Sequence, residues 1–200
     1  LTAKFLDNIV REGDVLYYTD FHPMFGGADN LYRHNTVTGE TVALGAEGFQ
    51  YGIFRDTEGG GMGYSGGAPL VLHDGHLYTL GYEENRWDEP TALYRVALTE
   101  RSHEKLASPA KQFWLDGNGG RLYYIDADTG FLMETDLDGR DTRTLMAQRI
   151  DRVERKDGYF YFTVDSSGVS GGSVRLYAYS TADGQSTVLA EDFIRWFAAG

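Results

Sequence analysis

The stretch GDVLYYTD, Gly13 to Asp20, returns as GHLYTLGY from Gly75, as GRLYYIDAD from Gly120 and as GYFYFTVD from Gly158. Four near-copies make period the first property to test, because an internal repeat decides a fold more firmly than local propensity. Aligned on Leu16, Leu77, Leu122 and Phe160, the copies recur at about 40 residues, with a first step about 20 residues longer. A second phrase follows each: NLYRHN around Leu31, ALYRVA around Leu93, FLMETD around Leu132 and RLYAYS around Leu176. A turn and a short apolar close complete the unit: TGETVAL, TERSHEKLA, DGRDTRTLM and DGQSTVLA.

Each unit therefore reads as four short strands. The residues before the first phrase (DNIVRE, PLVLHD, QFWLDG, DRVERK) form strand a, the first phrase strand b, the second strand c and the close strand d. Gly13, Asp74-Gly75, Gly119-Gly120 and Asp157-Gly158 supply the a–b hairpins; Thr38-Gly39, Asp138-Gly139 and Asp183-Gly184 supply c–d. Strand b is apolar nearly throughout, as in Val15-Leu16-Tyr17-Tyr18, so both faces of its sheet must be covered. Radially stacked four-stranded sheets do this, which is the β-propeller arrangement. A β-sandwich would alternate more cleanly and gives no reason for a repeat. The fold expected is all-β: blade 1 over about 3–44, an insertion at 45–68, blade 2 over about 69–107, blade 3 over about 110–146, blade 4 over about 148–190, and the start of a further blade at 191–200. That last strand has no place in a ring of four, so the expectation is part of a larger propeller, with a closed small ring as the alternative.

The LYYTD and LYR phrases, with their following TG or DG turns, resemble the YWTD blades of the low-density lipoprotein receptor group. They resemble still more a bacterial domain of unknown function named after those blades and found in secreted or surface proteins of Gram-positive bacteria. The resemblance spans all four units. It departs from the receptor pattern at Tyr18, Thr79, Tyr124 and Phe162, which stand where the Trp would be. It implies an extracellular or cell-surface location.

Composition agrees with strands and turns: 26 Gly, 14 Tyr and 11 Phe stand against 4 Pro in 200 residues. The absence of Cys removes disulfides, thiolate metal sites and Cys nucleophiles. A net charge of −12 disfavours nucleic acid and anionic membrane as partners. No apolar run approaches the length of a membrane span, and no secretory leader pattern opens the sequence at Leu1.

Several motifs invite a chemical reading. GYSGG, Gly63 to Gly67, fits G-x-S-x-G, but a nucleophile elbow needs a strand-to-helix turn, and the following Pro69 and Asp74-Gly75 leave no room for a helix. The surrounding TEGGGMGYSGG reads as a glycine-rich loop and lacks the Lys-Ser/Thr ending of a phosphate cradle. DADTG, with Asp126 and Asp128, and DLDGRD resemble pieces of a calcium loop without its distal Glu, so calcium is the one cofactor considered and none is expected. The histidines, 22, 34, 73, 76 and 103, show no ligand spacing, although His73 and His76 flank one hairpin.

Propeller topology places the a–b and c–d turns on one face and the b–c and d–a connections on the other. The long segments all belong to the second face, and there lie Phe21, Phe25, Phe49, Tyr51, Phe54, Tyr64, Tyr82 and Trp87. Apolar side chains on loops over a rigid scaffold suit a contact surface. The expected ligand-binding residues are Trp87, Phe25, Phe54, Tyr64, Tyr82 and His22, and the expected partner is a peptide, a glycan or a neighbouring protein domain. The alternative weighed is a propeller enzyme of metal-dependent lactonase type, or the gating propeller of a larger hydrolase.

Overall fold

The computed structural model describes residues 6–20, 30–56, 63–84, 86, 89–164 and 175–191, and these form strands, turns and connections without a helix. Three sheets have the simple meander order: β1 (Leu6–Glu12), β2 (Val15–Asp20), β3 (Leu31–Asn35) and β4 (Thr41–Ala43); β12 (Ala110–Asp116), β13 (Arg121–Asp126), β14 (Leu132–Asp136) and β15 (Arg143–Met146); and β16 (Ile150–Lys156), β17 (Tyr159–Val164), β18 (Leu176–Ser180) and β19 (Ser186–Ala190). All neighbours in them are antiparallel. The turns are those the sequence specifies. Asp74 (φ 45°) with Gly75 (φ 70°), and Asp157 (φ 51°) with Gly158 (φ 79°), put two successive residues in the left-handed region, as a tight two-residue hairpin requires.

The second sheet is different. Its β9 (His76–Glu83) pairs on one side with β10 (Ala92–Ala97), which pairs with β11 (His103–Ala107); on the other it pairs with two separate pieces, β8 (Val71–His73) and β5 (Phe49–Tyr51). Strand a of blade 2 is thus split. Between the pieces the chain leaves the sheet as a hairpin, β6 (Ile53–Asp56) against β7 (Gly63–Gly67). GYSGG, expected as a loop, is strand β7, paired antiparallel with β6.

The excursion occupies a recurring position. In β1, β12 and β16 the register slips at Asp7/Ile9, Ala110/Gln112 and Ile150/Arg152, near the same end of each first strand. In blade 2 the break falls between Gly52, whose N–H donates to the Leu80 carbonyl at 2.9 Å, and Val71, opposite Tyr78. A one-residue bulge elsewhere is here widened into a hairpin, at a point where the ladder is already interrupted.

The core lies between sheets. Tyr17 of β2 packs with Leu77 of β9; Tyr78 and Leu80 pack with Leu122 and Tyr124 of β13; Tyr123 and Ile125 pack with Phe160 and Phe162 of β17. β9 and β13 send alternate residues to the preceding and following sheets, which is why they read as apolar nearly throughout. Three clusters join blades 1–2, 2–3 and 3–4, and none joins 4 to 1 among the described residues. Of the segment 191–200, expected to begin a further blade, residues 192–200 lie outside the described residues.

Phe160 is fully buried, edge-on to Trp114 at 5.1 Å and to Tyr123 at 5.2 Å. Phe160→Ala is expected to lower stability by about 3–5 kcal/mol in denaturant unfolding. A loss under about 1 kcal/mol would show that the interface between blades 3 and 4 does not hold the fold together.

Candidate functional site at the long-loop end of blades 1 and 2

The insertion is fastened at its root by polar side chains. Asn30 donates from Nδ2 to the Tyr51 carbonyl (2.8 Å) and accepts the Tyr51 N–H at Oδ1 (2.9 Å), so both backbone groups of the residue before the departure are satisfied from blade 1. Asn8, the bulge residue of β1 at φ 48°, donates from Nδ2 to the Gly52 carbonyl at 3.2 Å. Gly52 itself stands at φ 73°, and a Cβ there would come within 2.8 Å of Thr19 Cγ2, so only glycine fits both the turn and the contact.

Beyond the root, Arg55 locks the hairpin to the connection between β9 and β10. It is buried, with its guanidinium 4.2 Å from the Tyr82 ring centroid and Nη2 donating to the carbonyls of Arg86 (2.8 Å) and Glu89 (2.5 Å). The Arg55 N–H donates to Thr91 Oγ1 at 2.9 Å, and that hydroxyl donates back to the Arg55 carbonyl at 3.2 Å. A buried guanidinium stacked on an aromatic face and bonded to carbonyls makes a rigid junction.

Underneath, Phe49, Tyr51, Tyr94 and His103 form an aromatic cluster, with Phe49 and His103 centroids 4.3 Å apart and Tyr94 and His103 4.5 Å apart. The Tyr51 hydroxyl accepts the Ala46 N–H at 2.9 Å and lies 2.5 Å from His103 Nδ1. That hydroxyl can donate to Nδ1 or accept from it, and the His103 tautomer decides which. Burial, and secondarily Lys105, hold the His103 pKa below its ordinary value. Burial, with Glu89 and Glu83 adding to it, pushes Tyr94 up to about 12, so that phenol stays protonated.

The expected site residues fall in three places. Phe54 is half-buried against the core between blades 2 and 3, and Tyr82 is buried beneath Arg55, so the structure brings these two to the root of the insertion. Tyr64 is in β7, opposite Arg55 in register. Trp87, Phe25 and His22 lie outside the described residues. Of the calcium candidates, Asp126 spends Oδ1 on the Thr129 N–H (2.8 Å) and hydroxyl (2.7 Å) in the β13–β14 turn, and Asp128 is exposed. No three carboxylate or imidazole groups that could hold a metal come together among the described residues. Reading the sequence missed Asn8, Asn30, Arg55, Thr91 and the Tyr51–His103 pair. Asn30 alone had a signal, a polar residue at the threshold of a recurring LYR phrase.

No family model matches the chain, and no curated protein matches it. Solved structures do. A puromycin-hydrolysing peptidase of Mycobacterium tuberculosis superposes with a TM-score of 0.53 at 12% identity, over 94% of this chain and 39% of that one. A structure from a study of two prolyl endopeptidases gives 0.54 at 16% identity, over 94% of this chain and 26% of that one. The fold is a β-propeller. A chain of a nidogen/laminin complex matches at 0.43 with 14% identity, over 96% of this chain and 81% of that one. This propeller chain spans well under half the length of either peptidase chain.

Because the folded state holds His103 neutral with a lowered pKa, its contribution to stability is complete above the unfolded value of about 6.5 and is lost as pH falls through the folded value. The melting temperature of the unsubstituted protein is expected to drop more steeply between pH 7 and pH 5 than that of His103→Gln. Parallel profiles would remove His103 from the pH response.

Proposed function

We propose that this chain is a non-catalytic binding module of a secreted or surface bacterial protein, and that its working surface is the long-loop end around the insertion. The observation that carries the reading is the Arg55 junction, which joins the inserted hairpin and the β9–β10 connection into one unit on a rigid scaffold. A surface organised before its partner arrives loses less freedom on binding. Trp87 belongs to that connection and Phe25 to the one between β2 and β3, so chain position assigns both to the same end. Glu83, Glu84 and Glu89 give the rim an acidic character suited to a basic peptide, while aromatic side chains suit a sugar ring or a neighbouring domain. The YWTD-like phrases support the surface location.

The place of Ser65 supports a non-catalytic reading over a serine hydrolase. It is within β7, a strand paired to β6, whereas a nucleophile elbow needs a strand-to-helix turn. The likeness to peptidases, at 12% and 16% identity, is one of fold.

The test uses arrays of cell-wall glycans and basic peptides. Trp87→Ala is expected to abolish capture while moving the melting temperature by less than about 2–4 °C, the shift that 1 kcal/mol produces at this size. Capture that survives the substitution would remove Trp87 from the surface, and stoichiometric labelling of Ser65 by a fluorophosphonate would overturn the non-catalytic reading.

A further inference from the structure

Blades 2 and 3 carry the same cross-strand ion pair with opposite polarity. In blade 2, Arg95 of β10 stands opposite Glu104 of β11, with Nη2 and Oε2 2.5 Å apart. In blade 3 the repeat places Glu134 of β14 where Arg95 stood, opposite Arg143 of β15, with Arg143 Nη2 2.9 Å and Nε 3.0 Å from Glu134 Oε1. The LYR phrase has become LME.

The reversal changes what reaches the next blade. Arg95 extends from blade 2 to the c–d turn of blade 3, donating from Nη1 to the Leu137 carbonyl (3.1 Å) and to Asp138 Oδ1 (2.6 Å). That guanidinium bridges the rim between the two blades. Between blades 3 and 4 the corresponding Asp-Gly turn, Asp183-Gly184, faces a carboxylate instead. Glu134 is shorter, carries the wrong sign and cannot bridge. What remains is a cavity of about 420 Å³ lined by Glu134, Arg143, Tyr179, Thr181 and Asp183 among others, within the range of about 300–1,000 Å³ typical of ligand sites.

The wall holds unused acceptors. Glu134 is 4% exposed, and both its ion-pair contacts, Arg143 and Arg121 Nε at 3.7 Å, are made through Oε1. Among the described residues no hydrogen bond reaches Oε2, which keeps contact with solvent and so can meet a donor that enters the cavity. Asp183 stands across the cavity with Oδ1 accepting the Gln185 N–H at 3.1 Å. Glu134 and Asp183 against Arg143 leave one net negative charge on the wall.

We infer that the rim between blades 3 and 4 is a binding site for a guanidinium group, which takes the place that Arg95 fills between blades 2 and 3. Its planar fork of N–H donors serves Glu134 Oε2 and the Asp183 turn together, and its charge neutralises the wall. The donor is a free guanidinium compound or an arginine side chain of a peptide, and the chemistry is the same for both. The site is at the tight-turn end of the blades, apart from the long-loop surface, so its failure leaves the proposed function standing.

Amide NMR titration of the intact chain tests it with three probes at matched ionic strength: ethylguanidinium, a blocked Gly-Arg-Gly peptide, and tetramethylammonium, which has charge but no N–H. Saturable shifts at residues 143–145 and 181–184 are expected with at least one of the first two, and which of them is tighter identifies the source. Tetramethylammonium is expected to give none. Asp183→Asn, in an exposed turn and still able to accept from Gln185, and Glu134→Gln should each weaken binding about tenfold. The double exchange Glu134→Arg with Arg143→Glu should rebuild the blade 2 arrangement, raise the melting temperature and abolish the shifts. No saturable shift with either guanidinium probe, equal shifts with tetramethylammonium, or undiminished affinity in the double exchange would overturn the assignment.

Discussion

Every b strand in this chain is apolar on both faces, and a single sheet cannot cover two faces by itself. The repeat resolves this by stacking: the residues of β9 and β13 that point one way meet the preceding blade, and those that point the other way meet the next. Burying large side chains such as Leu122, Tyr123, Phe160 and Phe162 contributes about 1.5–3 kcal/mol each. That apolar stacking carries the fold, and it frees the strand ends, turns and outer strands to vary without loss of architecture.

Variation is concentrated where the ladder is already imperfect. A bulge near the same end of β1, β12 and β16 breaks the pairing of the first strand, and in blade 2 the same break releases a hairpin. The interruption leaves backbone groups that need partners, and blade 1 supplies them through Asn8 and Asn30. The polar residues at the root are the counterpart of the missing ladder bonds. The rim between blades 3 and 4 shows the same freedom in side chains: exchanging the signs of one cross-strand pair keeps its internal attraction but removes the arm that bridged the neighbouring rim.

The repeat was legible because its signal is local. Gly13, Asp74-Gly75, Gly119-Gly120 and Asp157-Gly158 mark the hairpins, and unbroken apolar runs mark the strands between two layers. The split strand was not. Phe49-Gln50-Tyr51 is too short to show a period, its partner Gly81–Glu83 is remote in sequence, and β7 is ordered by pairing despite three glycines in Gly63–Gly67. Phe54 and Tyr82 lie at the root of the insertion, and nothing in the sequence says that Arg55 would cover Tyr82. The change from Arg95 to Glu134 was visible in the aligned phrases, yet its meaning depends on Arg143 and Asp183, which register and blade stacking bring near it.

Native-state hydrogen exchange tests the stacking most directly, because it reads the opening free energy of each strand separately. If neighbouring blades hold one another, the amides of β9 and β13, covered on both faces within the described structure, exchange only through one shared global opening. Four different free energies for the four sheets, with β9 and β13 opening independently of each other, would contradict the account.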